Sequence, residues 1–334
     1  MAKIICIGSA AKDIFFPTGE GILLHTPEDI EAQEKVEFEV GAKYQIDDRY
    51  EAPGGVAANG AIGLARLGVD VACYSQIGSD QIGDWVVQEL EKEGVRTDLL
   101  VRDANAWTDL SAILVFTQTG DRTIFFNRDA NEHLKVNVEE LVGAEYVFVS
   151  ALNGDWQTNL RTVLALVRDG KAKLILNPGQ RNLQDDVVLV AEAAALADIL
   201  VLNKDEAIAL LKHSHSEMTA EQLNDETELI RELHTLGAKR IGLTDGLRGA
   251  WVSDNSQIFW APASGERATD TTGAGDAFGS GFVAALLQEK DIETALRWAT
   301  ANAGNVIRYY GAQQGLLRTE EIGELSKNIE IQSK

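Results

Sequence analysis

Apolar and polar positions follow a pattern that predicts alternating strands and helices over most of the chain. Runs rich in β-branched residues, which we expect to be buried strands, cover 146–150, 173–177, 199–203 and 240–244. The amphipathic segments 155–168 and 187–197 between them have helical spacing. This succession predicts right-handed crossovers and an α/β fold with a doubly wound, mostly parallel sheet. Ligands bind at the carboxyl ends of the strands in such sheets, so we expect the site there.

Two other segments alternate with period two and lack a crossover helix. Residues 36–40 and 43–46 predict one antiparallel hairpin, and residues 111–117 and 123–127 predict another. Together they predict a small β-sheet lid on a single domain that spans 1–334. The lid elements would lie at about 15–53 and 108–128, with 19–34 as a mobile acidic insertion.

The apolar side of the first hairpin has a predicted role in assembly. Its candidate members are Val36, Phe38, Val40, Tyr44 and Ile46. A small β-flap cannot bury one face alone, so this face would close over the ligand and supply a homodimer contact. The alternative is a lid that folds back onto its own subunit.

Composition narrows the class of protein. The chain has 334 residues with 45% hydrophobic and 25% charged residues, which is typical of folded globular proteins. A net charge of −22 repels nucleic acids and anionic membranes, so we expect neither as a partner. No apolar stretch reaches the roughly 18 residues of a membrane span, and no cleavable apolar segment follows Met1. Cys6 and Cys73 lie in strand-like runs, which favours reduced core thiols and a cytoplasmic location.

The strongest chemical signal is the segment from Asp270 to Phe278, which reads DTTGAGDAF. Glycines before a helix leave backbone N–H groups approachable, and the helix dipole adds about half a positive charge there. Gly273, Ala274 and Gly275 therefore predict an anion site. A carboxylate at its mouth, Asp276, fits a general base that takes the proton of a hydroxyl attacking phosphorus. The alternative is a helix cap.

A second glycine cluster, from Pro53 to Ala61, also precedes a helix. Its Gly54 and Gly55 allow close backbone approach to a ligand, although the same pair is common in plain turns. Asp13 follows the first strand, where a carboxylate can accept hydrogen bonds from vicinal hydroxyls or cap a loop.

Several other classes are excluded or disfavoured. The chain contains no Gly-x-x-x-x-Gly-Lys-Ser/Thr phosphate loop, and no Gly-x-Gly-x-x-Gly follows the first strand. His213 and His215 form a candidate metal pair without an evident third ligand, so exposed histidines are the simpler interpretation.

The two glycine motifs, about 215 residues apart, resemble the paired signatures of the ribokinase/PfkB carbohydrate kinase family. Three elements between them fit the same pattern: Asn177-Pro178-Gly179, Asn203 with Glu206, and the turn from Thr244 to Gly249. The resemblance covers nearly the whole chain and implies a ribokinase-like fold.

The resemblance also implies residue roles. Asp13, Gly54, Gly55 and Asn59 would hold sugar hydroxyls, and Gly273, Ala274 and Gly275 would form the anion hole, with Asp276 as base. Asn203 and Glu206 would organise phosphates and the hydration shell of Mg²⁺, while Thr244, Gly246 and Asn302 would line the ATP site. Asp270, Thr272 and Gly311 would lie at a monovalent cation site, taken to be K⁺.

The expected activity is therefore ATP-dependent phosphorylation of a primary hydroxyl of a free sugar such as ribose or fructose. A nucleoside kinase, a sugar-phosphate kinase and a non-catalytic sugar- or nucleotide-binding protein are the alternatives. Arg122 and Arg128 would hold a phosphate already on the sugar in one interpretation. In the other, which we prefer, they pair with nearby carboxylates.

Overall fold

The computed structural model describes residues 2–26, 28, 34–215, 217–265 and 268–334. In chain order, its strands are β1 (Ile4–Ile7), β2 (Ala11–Thr18), β3 (Ile22–His25), β4 (Glu34–Glu37), β5 (Tyr50–Gly54), β6 (Val71–Gly78), β7 (Leu100–Asp103), β8 (Leu110–Phe116), β9 (Arg122–Asn127), β10 (Tyr146–Val149), β11 (Lys173–Leu176), β12 (Ala197–Asn203), β13 (Arg240–Thr244), β14 (Ala250–Ser253), β15 (Ile258–Ala261) and β16 (Gln332–Ser333). Its α-helices are α1 (Val56–Arg66), α2 (Gln81–Lys92), α3 (Val138–Leu141), α4 (Trp156–Arg168), α5 (Gln180–Asp185), α6 (Val187–Leu196), α7 (Lys204–Ser214), α8 (Ala220–Leu223), α9 (Glu226–Leu236), α10 (Ala274–Leu287), α11 (Ile292–Val306) and α12 (Thr319–Ser326). Within these ranges, no helix combines the length and the apolar character that a bilayer span requires.

The main sheet is large and mostly parallel, as the sequence predicts. Within the described ranges it has ten strands in the order β16-β15-β14-β13-β12-β11-β10-β1-β6-β7. Every pairing from β7 to β13 is parallel, and β14, β15 and β16 extend the sheet in antiparallel fashion. The four runs predicted as strands correspond to β10, β11, β12 and β13. Their near-continuous apolar character is typical of strands buried on both faces.

Helices cover both faces of this sheet, so the doubly wound architecture is confirmed. One core lies beneath α1, α10 and α11, and the second lies beneath α4, α6, α7 and α9. Cys6 and Cys73 lie side by side in the first core, in register on β1 and β6. Both are unpaired and buried, as predicted. Burial raises the pKa of both thiols, that of Cys73 to about 12.

A separate small sheet has the order β5-β2-β8-β9. The hairpin predicted at 111–117 and 123–127 corresponds to β8 and β9, which pair in antiparallel fashion. Strand β2 continues the chain from β1 and pairs in parallel with β8, so this sheet is tied directly to the main one. Phe15, Ile113 and Val115 form its core.

The hairpin predicted at 36–40 and 43–46 is wrong. Strand β4 pairs instead with β3, and residues 38–49 contain no strand. The predicted apolar face is not formed by a pair of strands, and Val40 is 100% exposed. Phe38 and Tyr44 still make an edge contact, although neither lies in a strand. The expected mobile insertion at 19–34 contains β3, while residues 27 and 29–33 lie outside the described part. Period-two alternation shows that a segment can form a strand but does not determine which strand it pairs with, and here β4 ends at Glu37 and pairs with β3.

Candidate active site

The anion turn lies at the start of α10. Gly273 precedes the helix with a φ of 76°, and a Cβ there would lie 2.2 Å from the Cβ of Ala312, so this position requires glycine. A Cβ on Gly275 would meet no atom within 4 Å, which shows that this turn faces open space. The Ala274 N–H donates to the Thr271 carbonyl at 3.3 Å, whereas the N–H groups of Gly275 and Asp276 have no partner within the helix. Gly273, Ala274 and Gly275 stay the predicted anion hole.

Asp276 lies in the first turn of α10 and does not cap it, because the helix has no side-chain cap. Its Oδ2 instead accepts a 2.8 Å hydrogen bond from Nδ2 of Asn59. Loss of surrounding water raises the pKa of the Asp276 carboxyl to about 6, and the Asn59 hydrogen bond opposes this rise. A carboxylate with this pKa can hold a proton briefly near neutral pH, as a general base requires.

Gln313 orients this pair, a role that sequence reasoning missed. Its Nε2 donates to Oδ1 of Asn59 at 2.9 Å and to the carbonyl of Pro53 at 2.7 Å. Arg66 in turn donates to the carbonyl of Gln313. The Asn59 amide is therefore fixed with its Nδ2 toward Asp276. Residues 59 and 313 are 254 positions apart, and no local pattern reports that contact.

The second glycine cluster lies against Asp13, as the sequence predicts for an acceptor-binding pair. A Cβ on Gly54 would lie 2.2 Å from Oδ2 of Asp13, and Gly55 has a φ of 90°. Asp13 is buried on β2 opposite Ser111, whose hydroxyl hydrogen-bonds the carboxylate. Burial raises the pKa of the Asp13 carboxyl to about 6, and the nearby Asp270 adds to this rise. Asp13 therefore lies within strand β2 and does not cap a loop.

Asn203 and Glu206 form a capping box at the start of α7. The Asn203 side chain accepts from the Glu206 N–H at 2.9 Å, and the Glu206 carboxylate accepts from the Asn203 N–H at 3.0 Å. Burial raises the pKa of Glu206, and the charges of Asp205 and Asp276 raise it further. Oxygen donors with uncompensated negative charge suit a hydrated Mg²⁺ ion, so these residues fit the metal that the resemblance implies.

The turn after β13 contains the predicted nucleotide residues. Thr244 pairs with Asn203 across neighbouring strands, and Gly246 has a φ of 47° with no atom near its hypothetical Cβ. Behind this turn lies an ion cluster, which we define as Lys204, Glu226, Asp245 and Arg248. Lys204 contacts Glu226 at 2.7 Å and Asp245 at 3.4 Å, and Arg248 contacts the same two carboxylates at 2.8 and 3.4 Å. The cluster ties the turn to the first residue of α7.

Asn302, which was predicted to line the ATP site, lies in the protein interior. Its side chain is fully buried, donates to the carbonyl of Ala277 and accepts from the Leu317 N–H. A cavity of about 430 Å³ lies on another face of α11, against residues 262–264 and 325–330. Thr300 lines it, and the Thr300 hydroxyl is buried without a hydrogen-bond partner.

The three predicted monovalent cation residues lie together around one carboxylate. Asp270 accepts hydrogen bonds from Thr272 and from the Gly311 N–H. Arg122 of β9 lies 3.6 Å from Asp270, so the preferred ion-pair interpretation holds for this arginine.

Arg128 acts on a carboxylate at longer range, because its charge opposes the burial that raises the pKa of Asp109. Among the described residues, no carboxylate lies within ion-pair distance of its guanidinium. The guanidinium stacks over Phe126 and lies 3.4 Å from Oδ1 of Asn153. His215 pairs with Glu232, and the described residues hold no group of three or more metal-ligating side chains around the two histidines.

Comparisons with known proteins identify the family and the fold. The model of the pfkB family carbohydrate kinase matches residues 1–319. The ribokinase of Haemophilus influenzae is 30% identical over 287 residues, which cover 84% of this chain and 88% of the relative. The 5-dehydro-2-deoxygluconokinase of Bacillus subtilis is 26% identical over 294 residues, with 84% and 87% covered. The crystal structure of a ribokinase from Thermotoga maritima has a TM-score of 0.76 at 23% identity and covers 98% of this chain and 100% of its own. The chain belongs to the PfkB family of carbohydrate kinases and is an ATP-dependent sugar kinase.

Proposed function

We propose that this kinase transfers the γ-phosphoryl group of ATP to a primary hydroxyl of a free sugar such as ribose or fructose, with Asp276 as general base. One observation carries the proposal: the 2.8 Å hydrogen bond that fixes the Asp276 carboxylate at the open end of the anion turn. A residue that only capped the helix would bond to its own backbone instead.

The acceptor side of the cleft, which we define as Asp13, Asn59 and Asp276, supports this assignment. Gln313 bonds both to Pro53, which is next to Gly54 and Asp13, and to Asn59, which holds Asp276. One chain of contacts thus joins the proposed hydroxyl-binding carboxylate to the proposed base. A sugar bound by Asp13, Gly54 and Gly55 would present a hydroxyl toward Asp276.

The proposed transfer balances without a further reagent. The acceptor oxygen forms a bond to the γ-phosphorus, its proton passes to Asp276, and the bond between that phosphorus and the bridging oxygen of ADP breaks. The N–H groups of Gly275 and Asp276 would stabilise the charge on the equatorial oxygens. Mg²⁺, when bound near Asn203 and Glu206, would neutralise phosphate charge.

A substrate panel tests this proposal. Purified protein with ATP and Mg²⁺ is mixed with ribose, fructose, nucleosides, fructose 6-phosphate and gluconate-type acids, and ADP release is measured. We expect a free sugar to give the highest kcat/KM. Preference for a nucleoside or a charged sugar would contradict the substrate while leaving the kinase activity intact.

A second candidate is an anionic sugar, which Arg128 favours. Its guanidinium has N–H donors available for a ligand, because it makes one 3.4 Å contact to Asn153 and no ion pair within the described part of the chain. The name of the Bacillus subtilis relative specifies an acidic sugar. If this candidate holds, Arg128→Gln removes the preference for the charged acceptor, whereas Arg102→Gln, which breaks a surface pair with Asp84, leaves it unchanged.

We also propose that the small sheet acts as a lid, at about 15–53 and 108–128, and supplies a homodimer contact. Strand β9 is its outer strand, and Ile124, Phe125 and Phe126 on it are 42%, 61% and 61% exposed. Exposed aromatic residues on an open edge favour pairing with a second copy. Light scattering at micromolar concentration should give twice 36.3 kDa for the unmodified protein and less for Phe125→Ser. A monomer would remove the dimer proposal.

A further inference from the structure

Asp270 is a buried carboxylate immediately before the anion turn, with 1% of its surface exposed. Its Oδ1 accepts from the Thr272 N–H at 2.9 Å and from the Thr272 hydroxyl at 2.7 Å, and its Oδ2 accepts from the Gly311 N–H at 2.9 Å. This carboxylate therefore fixes the segment that leads into the anion turn against the loop at 311. A buried negative charge in this position needs a positive partner.

Arg122 provides that partner from the small sheet. Its Nη1 donates to the Thr271 hydroxyl at 2.8 Å and lies 3.6 Å from Oδ1 of Asp270. The hairpin tip between β8 and β9 approaches the same segment, because a Cβ on Gly120 would lie 3.8 Å from the Ala268 carbonyl. The positive charge next to Asp270 is therefore the guanidinium of Arg122, which belongs to strand β9 of the small sheet.

The residues around Asp270 do not fit a monovalent cation. Such an ion needs several oxygen ligands, and Gly311 turns an N–H group, which cannot coordinate a cation, toward the carboxylate. The Thr272 hydroxyl donates to Asp270 and keeps oxygen lone pairs, but these two side chains together supply fewer oxygen ligands than such an ion needs. A guanidinium 3.6 Å from the carboxylate would also repel a second positive charge.

We propose that Arg122 replaces the monovalent cation and acts as a positioning residue for the anion turn. Phosphoryl transfer by this kinase then needs no potassium, and the turn reaches its working geometry only when the small sheet lies against residues 268–271. The inference rests on the proposed function only where it concerns the rate of transfer. The part that concerns cation binding holds for the ligand-free protein.

The first test needs no substrate. Thermal unfolding of the ligand-free protein is followed in tetramethylammonium, sodium and potassium chloride at equal ionic strength. We expect the Tm of the unmodified protein to agree across the three salts within about 1 °C, and the Tm of Arg122→Gln to rise by a few degrees, about 2–4 °C, in potassium alone. Arg102→Gln is the matched control, since it removes a surface arginine from a neighbouring element. A potassium-specific rise in the unmodified protein would overturn the inference.

The second test measures initial rates with ATP and the best acceptor of the substrate panel. The unmodified protein should change less than about twofold between tetramethylammonium and potassium, while Arg122→Gln should lose about tenfold in kcat without potassium and recover part of it with potassium. Arg122→Lys, which keeps the charge, should retain more rate than Arg122→Gln. Potassium activation of the unmodified protein, or an Arg122→Gln rate equal to that protein's in both salts, would overturn the inference. If no acceptor is phosphorylated, the proposed function fails, and the melting series still decides the cation question.

Discussion

The proposed acceptor-binding residues and the proposed nucleotide-binding residues differ in how their charges are balanced. On the acceptor side, Asp13 and Asp276 are carboxylates without a cationic partner in the described structure, and both have a pKa raised to about 6. On the nucleotide side, the ion cluster pairs two cations with two carboxylates. The contrast indicates that the proposed acceptor side keeps its polar groups available for a substrate, while the proposed nucleotide side is held by its own ion pairs. Substitutions on the first side should therefore alter chemistry, and those on the second should alter nucleotide affinity.

The largest effect should come from Asp276→Asn. The amide keeps the shape but cannot accept the hydroxyl proton, so we expect kcat to fall by about 10²- to 10⁴-fold while calorimetry shows unchanged ATP binding. Asp169→Asn, at an exposed ion pair with Lys171, is the matched control. Retention of more than about a tenth of kcat would reject Asp276 as the base.

Asp13→Asn should separate binding from stability. Loss of a carboxylate that accepts hydrogen bonds from two hydroxyl groups should weaken binding of the acceptor about 100-fold and leave ATP binding unchanged. Because the pKa of Asp13 is higher in the folded than in the unfolded protein, its ionisation lowers the stability of the fold. The loss begins as the pH rises above the unfolded pKa of about 4 and is complete above about pH 6. The variant should therefore be more stable at pH 8, by up to about 3 kcal/mol, and should gain nothing below pH 4. Denaturant unfolding at both pH values measures this, and equal loss of both ligands would assign Asp13 to the fold instead.

The pH dependence of the rate should show the same carboxylates. Asp276 must be ionised to accept a proton, so kcat should fall about tenfold per pH unit below about pH 6. Asp13 titrates in the free enzyme over the same range, so kcat/KM for the acceptor should fall more steeply than kcat. Asn59→Leu removes the hydrogen bond that lowers the pKa of Asp276 and should move the kcat limb to higher pH. If the acidic side of the kcat profile did not move in Asn59→Leu, a group other than Asp276 would control it.

Effects on the nucleotide side should be smaller and of a different kind. Lys204→Met leaves Arg248 as the remaining cation on Glu226 among the described residues, so the turn after β13 should loosen and the KM for ATP should rise about tenfold. The KM for the acceptor should not change. If both KM values rose together, the ion cluster would stabilise the whole fold rather than the nucleotide turn.

Thr300→Val should give the smallest effect. It removes a hydroxyl without a partner in the ligand-free protein, so stability should not fall, and the KM for ATP should rise about threefold if the hydroxyl bonds the base of the nucleotide. An unchanged KM would place adenine elsewhere.

The sequence predicted features that depend on local patterns. The strands that form the parallel sheet carry continuous apolar runs, so they were found, whereas the anion-binding role of 273–275 stays a prediction. The burial of Asn302 was not foreseen: residues two positions apart on a helix point about 200° apart, and Thr300 rather than Asn302 lies on the face that meets the cavity. The contacts of Gln313 and Arg122 join residues 254 and 149 positions apart, and no local pattern encodes them.

The neighbouring free thiols of Cys6 and Cys73, buried on β1 and β6 of the main sheet, provide a built-in reporter of global opening. Their raised pKa values leave almost no reactive thiolate in the folded protein, and neither sulfur is accessible. A thiol reagent can therefore modify them only during excursions that expose β1 and β6. The labelling rate measured with and without ATP would give the free energy of those excursions, and hence the stabilisation by the nucleotide, without denaturant.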